Sequence, residues 1–125
     1  MRLLLDTNAL LWLMDNDPRL DRGGRAFMLS ASEIYVSSAS MWEIAIKSSL
    51  GKMKANPEEL VAAMQVQGLL ELPVCMRHTI TAAKLPLLHR DPFARLLVAQ
   101  AITEPMRLLT SDAQLSAYSE LVIQM

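Results

Sequence analysis

Cysteine is almost missing from this chain, and its near absence excludes two kinds of chemistry. Cys75 stands alone, so there can be no internal disulfide and no cysteine-ligated zinc centre; its apolar neighbours give the expectation of a buried structural thiol rather than a nucleophile. Excess charge is missing too. Twelve basic residues face 13 acidic ones for a net charge of −1, so any polyanion must be held by local basic groups or by metal ions. Long apolar runs are lacking although 52% of the residues are hydrophobic. A charged residue interrupts each run before the roughly 18 residues of a membrane span. Asp6 cuts the opening run short after Leu5, which excludes the pattern of a secretory signal. These absences predict a cytoplasmic protein with no membrane association. Of the two histidines, His78 has no partner at ligand spacing and is expected to be structural. The nine methionines are not clustered and predict an adaptable core or an apolar dimer surface.

What is present is an alternation of short β-like runs with longer helical ones, without repeats or low-complexity stretches, over a length that suits one domain, 1–125. The pattern predicts an α/β fold with a mainly parallel sheet. LLLD at 3–6 reads as a buried strand, residues 9–14 as a short helix and 19–29 as a second helix weakened by Gly23 and Gly24. EIYVSS supplies the next strand, and Ser38 or Ser40 is placed to cap a helix through MWEIAIKSSLGK that Gly51 ends. Pro57, Glu58 and Glu59 suit the first turn of a helix to Gln67, closed by Gly68 before the strand LLELPV. A helix over 79–84, a loop at LPLLHRDP, a helix over 93–102, a strand in MRLLTSD and a last edge strand in LVIQ complete the order. Trp12 and Trp42, in apolar helices, are expected to pack.

Three aspartates have related addresses in this pattern. Asp6 follows the first strand, Asp112 follows a later one and Asp91 precedes a helix; parallel α/β sheets gather functional groups beyond the carboxyl ends of their strands. Glu43 falls inside a helix among Trp42, Ile44 and Ile46, near the core edge, where an unpaired carboxylate is costly. If the four converge, their repulsion demands a cation, and hard oxygen ligands suit Mg²⁺ or Mn²⁺ better than zinc. Each also has a structural explanation. Asp6, Asp91 and Asp112 can cap helices, and Glu43 can pair with Lys47 four residues on. Thr7, Asn8, Thr110 and Ser111 can support the carboxylates or be ordinary turn residues. His89, Arg90 and Arg95 are basic side chains beside Asp91 that can contact phosphate, although Arg95 can equally cover apolar surface with its stem.

The strings LLDTNALLW, SSASMWEIAIKSSLGK, LPLLHRDPFARLLVAQA and LLTSDAQLSAY resemble the successive blocks of the PIN domain, and more narrowly of the VapC toxins of bacterial toxin–antitoxin pairs, in that order and over nearly the whole chain. The resemblance implies a three-layer α/β/α sandwich and a metal-dependent endoribonuclease. It further implies Mg²⁺ or Mn²⁺ in an acidic pocket, a cognate antitoxin as inhibitor, and commonly a homodimer. By position Asp6 and Asn8 match the first block, Glu43 the second and Asp112 the fourth. The third departs: similar toxins read HRDPFDR, with an aspartate where this chain has Ala94, which implies reduced activity. Asp6, Glu43 and Asp112 are the expected metal ligands, and Asp91 the weakest member of the set. Two other functions compete: a PIN-like module that binds RNA or antitoxin without cutting, and phosphoryl transfer through an aspartyl phosphate at Asp6. Asn8, in place of a second acidic residue two positions on, and the lack of a lysine at a later strand end speak against phosphoryl transfer.

Overall fold

The computed structural model describes residues 1–125. Five strands form one sheet in the order β3-β2-β1-β4-β5. They are β1 (Arg2–Leu5), β2 (Glu33–Ser37), β3 (Leu70–Leu72), β4 (Arg107–Thr110) and β5 (Val122–Gln124). Every pairing is parallel, so the expectation of a mainly parallel sheet becomes a wholly parallel one. A parallel sheet is covered on both faces, which is why its strands are apolar runs rather than alternating ones. Leu3, Leu4 and Leu5 are all 0% exposed. Alternate residues feed opposite layers: Leu3, Leu5, Val36, Leu109 and Ile123 belong to one core, and Leu4, Leu108 and Val122 to the other.

Six helices cover these faces: α1 (Thr7–Met14), α2 (Arg22–Ser30), α3 (Ser38–Ser49), α4 (Pro57–Val66), α5 (Met76–Lys84) and α6 (Pro92–Thr103). The first core takes Ala9 and Leu10 of α1, Ile44 of α3, and Leu60 and Met64 of α4; the second takes Leu97, Val98 and Ala101 of α6. From β1 the chain runs outward through β2 to β3, then crosses back to lay β4 on the other side of β1. The reversal leaves a crevice at the carboxyl ends of β1 and β4, where doubly wound sheets bind ligands.

Helix boundaries follow their caps. Asp21, not a residue near Arg19, starts α2 by accepting the Gly24 amide at 2.7 Å. Ser37, the last residue of β2, caps α3 through the Ala39 amide at 3.0 Å, where Ser38 or Ser40 was expected. Helix α5 begins three residues earlier than predicted, because the His78 side chain folds back to accept the Cys75 amide at 2.9 Å. Gly51 and Gly68 follow α3 and α4 with φ of 72° and 75°, the left-handed exit glycine favours. Two burial expectations fail. Cys75 is exposed at the start of α5, because the histidine rather than the thiol is turned into the core. Trp42 is 64% exposed and touches Phe93 only edge-on, with ring centroids 5.5 Å apart. No helix is long and apolar enough to cross a membrane.

Candidate active site

Asp6, Glu43, Asp91 and Asp112 line one cavity of about 170 Å³, together with Thr7, Asn8, Lys47, Ala94, Leu97 and Leu115. Residues up to 109 positions apart in sequence meet because the sheet brings two strand ends together and α3 and α6 pack beside them. Asp6 stays tied to the sheet: its amide donates to the Leu109 carbonyl at 3.1 Å. Its carboxylate is shared. Oδ1 accepts the Ala9 amide at 2.7 Å, which caps α1, and Oδ2 accepts the Thr110 hydroxyl at 2.6 Å. The capping and the site explanations are therefore both true of one side chain. Burial pushes the Asp6 carboxyl above the ordinary aspartate range; hydrogen bonds from Thr110, Ala9 and Ser111 pull the other way, and the charge of Glu43 adds to the rise.

Glu43 is buried and held at both oxygens: Oε1 accepts the Thr7 hydroxyl at 2.7 Å, and Oε2 accepts Lys47 Nζ at 2.7 Å. The predicted pairing with Lys47 is present, but at the lip of the cavity rather than on a solvated face. Asp112 begins a 3₁₀ turn (Ala113–Ala117): Oδ1 accepts the Gln114 amide at 2.9 Å, and Oδ2 lies 2.6 Å from His89 Nε2. Asp91 caps α6 through the Phe93 amide at 3.0 Å. Ala94, one turn along the same helix, shows its methyl group to the cavity.

The other expected residues divide. Asn8 lines the cavity and is exposed. Thr7 and Thr110 are buried and donate to Glu43 and Asp6, and Ser111 reaches Asp6 only through its backbone. Arg90 is exposed and lies outside the cavity lining. Arg95 is not brought to the carboxylates. It donates to the carbonyls of Ala82, Leu85 and Pro86 and to the Tyr118 hydroxyl. Sequence reasoning missed Tyr118 as part of this region, and nothing local marks it.

The donor set suits a hard divalent ion, since hydroxyl-supported carboxylates of like charge face one polar cavity. It does not make a ready cage: no three acidic, histidine or cysteine side chains stand close enough to hold one ion together. The fit is to an ion such as Mg²⁺ or Mn²⁺ that keeps much of its water and takes one or two carboxylates. A larger groove of about 480 Å³ lies between α3, α4 and β3, lined by apolar residues including Met41, Trp42, Val61 and Leu70. Ser37, Ser38, Gln65 and Glu71 also line it, but it holds none of the four converging carboxylates.

An all-parallel α/β sandwich with an acidic cavity at its switch point is the class these observations define. The chain belongs to the PIN domain family, whose sequence model matches residues 3–121. Among solved structures, it is similar to VapBC2 from Rickettsia felis bound to a promoter DNA fragment, with TM-score 0.71, 17% identity, and coverage of 100% of this chain and 98% of that one. A toxin–antitoxin complex from Klebsiella pneumoniae gives TM-score 0.68 at 15% identity, over 98% of this chain and 96% of that one. VapBC-1 from nontypeable Haemophilus influenzae gives 0.67 at 18% identity, over 100% and 97%. No curated protein matches by sequence.

Proposed function

We propose that this chain is a VapC-type toxin: an endoribonuclease dependent on Mg²⁺ or Mn²⁺, held in check by a cognate antitoxin and acting as a homodimer. One observation carries the reading. Asp6, Glu43, Asp91 and Asp112, from four separate places in the chain, line a single polar cavity at the sheet's switch point. PIN-domain membership and the toxin–antitoxin complexes among the similar structures support it.

In this reading Asp6 and Glu43 are the principal ligands, and Thr110 and Thr7 hold their carboxylates in place. A hard divalent ion held there would supply an activated water, charge neutralisation on the phosphoryl oxygens and help for the departing alkoxide. Asp112, the more accessible carboxylate, would serve as a further ligand to the ion or orient the attacking water. Lys47 shares Glu43 Oε2 and, once the carboxylate is otherwise engaged, presents its ammonium to the phosphate. Asn8 and Arg90 lie exposed, available to the RNA backbone. Ala94 leaves the cavity one carboxylate short of similar toxins, so activity is reduced.

Lys47 seated against Glu43 supports one mode by which an antitoxin would act. A basic side chain inserted into the cavity satisfies the carboxylates in place of the metal, most strongly an arginine through paired hydrogen bonds. Mn²⁺ and a basic antitoxin segment should therefore compete, and independent binding of the two would count against this mode of inhibition.

A second reading, binding without cleavage, is favoured by Ala94 and by the missing three-carboxylate cage. Purified protein incubated with structured RNA in Mn²⁺, in chelator, and as Asp6→Asn separates the two. Cleavage that needs Mn²⁺ and Asp6 supports the nuclease. RNA bound but uncut under all three conditions supports the binding module.

A further inference from the structure

Seven residues, Leu85–Asp91, join α5 to α6 without regular structure, yet the end of this segment is tightly held. Arg95 spans it: Nη2 donates to the Ala82 and Leu85 carbonyls at 3.0 and 3.2 Å, and Nη1 to the Pro86 carbonyl at 3.0 Å and Tyr118 Oη at 3.1 Å. The same Tyr118 oxygen accepts the amides of Leu88 and His89 at 3.1 and 3.0 Å. His89 is thus fixed by its own backbone. Its ring is fixed as well, because Nδ1 accepts the Asp91 amide at 3.0 Å. A nitrogen that accepts carries no proton, so the proton is on Nε2, which donates to Asp112 Oδ2 at 2.6 Å.

We propose that His89, locked by the Arg95–Tyr118 clasp, is a positioning residue that aims Asp112 into the acidic cavity; the inference rests on the nuclease reading of that cavity. Asp112 needs such a partner. Its side chain is 37% exposed and its backbone lies at the start of a single 3₁₀ turn. The Gln114 amide holds only Oδ1, which leaves the carboxylate plane free to turn. A neutral imidazole N–H at Oδ2 fixes that plane without cancelling the negative charge, whereas Lys47 brings Glu43 a full positive charge. From Asp112 the order passes inward: its amide donates to Thr110 Oγ1 at 3.0 Å, and the Thr110 hydroxyl donates to Asp6 Oδ2. One connected chain of hydrogen bonds therefore runs from Arg95 to the first-strand aspartate. Partners of this kind behind metal-binding carboxylates typically carry about 10 to 100-fold in affinity or activity.

The test is a calorimetric Mn²⁺ titration of the full chain, with thermal unfolding of every variant as a check on the fold. His89→Ala should weaken Mn²⁺ binding about 10-fold, and His89→Gln, whose amide can donate to the same oxygen, should restore most of it. In an Asp112→Asn background, His89→Ala should add nothing further, an outcome that general loosening of the loop would not produce. Tyr118→Phe should weaken binding in the same direction while the chain stays folded. Unchanged affinity in His89→Ala, or losses that simply add in the double variant, would overturn the positioning role and leave the acidic site standing. A starting chain that takes up no Mn²⁺, with Asp6→Asn indistinguishable from it, would overturn the site and this inference together.

Discussion

Replacing Ala94 by aspartate supplies the carboxylate that the resemblance to VapC toxins implies at this position, and the structure determines what else the change does. Ala94 is the third residue of α6, after Pro92 and Phe93, with Asp91 as the cap. In a helix interior aspartate costs up to about 0.7 kcal/mol against alanine. In the first turn the helix dipole returns about 0.3–1 kcal/mol to a negative charge, so the helix itself is indifferent. The cavity is not. A further negative charge beside Asp6, Glu43, Asp91 and Asp112 adds repulsion of about 1 kcal/mol per close pair in water and about 4 at a partly buried site. The metal-free variant should therefore be less stable than the present chain by about 1–2 kcal/mol, a fall of several degrees in Tm. With Mn²⁺ the gap should close. A 10-fold gain in affinity is worth about 1.4 kcal/mol of added stabilisation at saturating ion, so the Mn²⁺-induced rise in Tm should be larger in Ala94→Asp by about 5 °C. The assay is thermal unfolding of both proteins in chelator and across a Mn²⁺ series. An equal Mn²⁺-induced rise in the two would refute the reasoning, and its loss in Asp91→Ala would identify Asp91 as the working third carboxylate.

Ribonuclease activity should rise in Ala94→Asp along with Mn²⁺ affinity, and the variant should arrest growth when expressed without antitoxin; equal growth of both strains would contradict this. Asp6→Asn should raise Tm in chelator. Burial raises the folded-state pKa of Asp6 above 3.8, so its ionised form weakens the fold at neutral pH. That penalty disappears as pH falls through the folded value, and the gap between the two proteins should close toward pH 3.8. The reverse sign applies to Glu104, which a hydrogen bond from His78 and the nearby Arg77 hold below its usual 4.5. Its contribution is present above that value and lost as pH falls through the folded one, so Glu104→Gln should cost about 2 kcal/mol at pH 7 and progressively less in acid urea titrations. Gly68→Ala should cost about 1 kcal/mol by chemical denaturation, since φ of 75° follows α4 there.

Much of this was legible in the sequence because it rests on local rules. The apolar run of β1, the paired strand-then-carboxylate pattern around Asp6 and Asp112, and the glycines at 51 and 68 each carry their own signal. The pairing of Glu43 with Lys47 follows from helix periodicity alone. What sequence could not show depends on side chains that meet only after folding. Tyr118 reaches a loop 29 and 30 residues away, and Arg95 reaches carbonyls 9 to 13 residues back. Neither distance matches a helical or strand period. Cys75 was misplaced because apolar neighbours predict burial only when they share a face, and at the start of α5 His78 takes the inward position. Trp42 was misplaced for a related reason: α3 buries Glu43 and Ile44, which turns the neighbouring ring outward.

The central claim is that Asp6 and Glu43 hold a divalent ion. Electron paramagnetic resonance of free Mn²⁺ tests it directly, because bound Mn²⁺ leaves the sharp aqueous signal. Adding this chain should reduce that signal in proportion to protein. Asp6→Asn combined with Glu43→Gln should leave it unchanged although the protein remains folded. Equal loss of signal with both proteins would place the ion elsewhere and contradict the account.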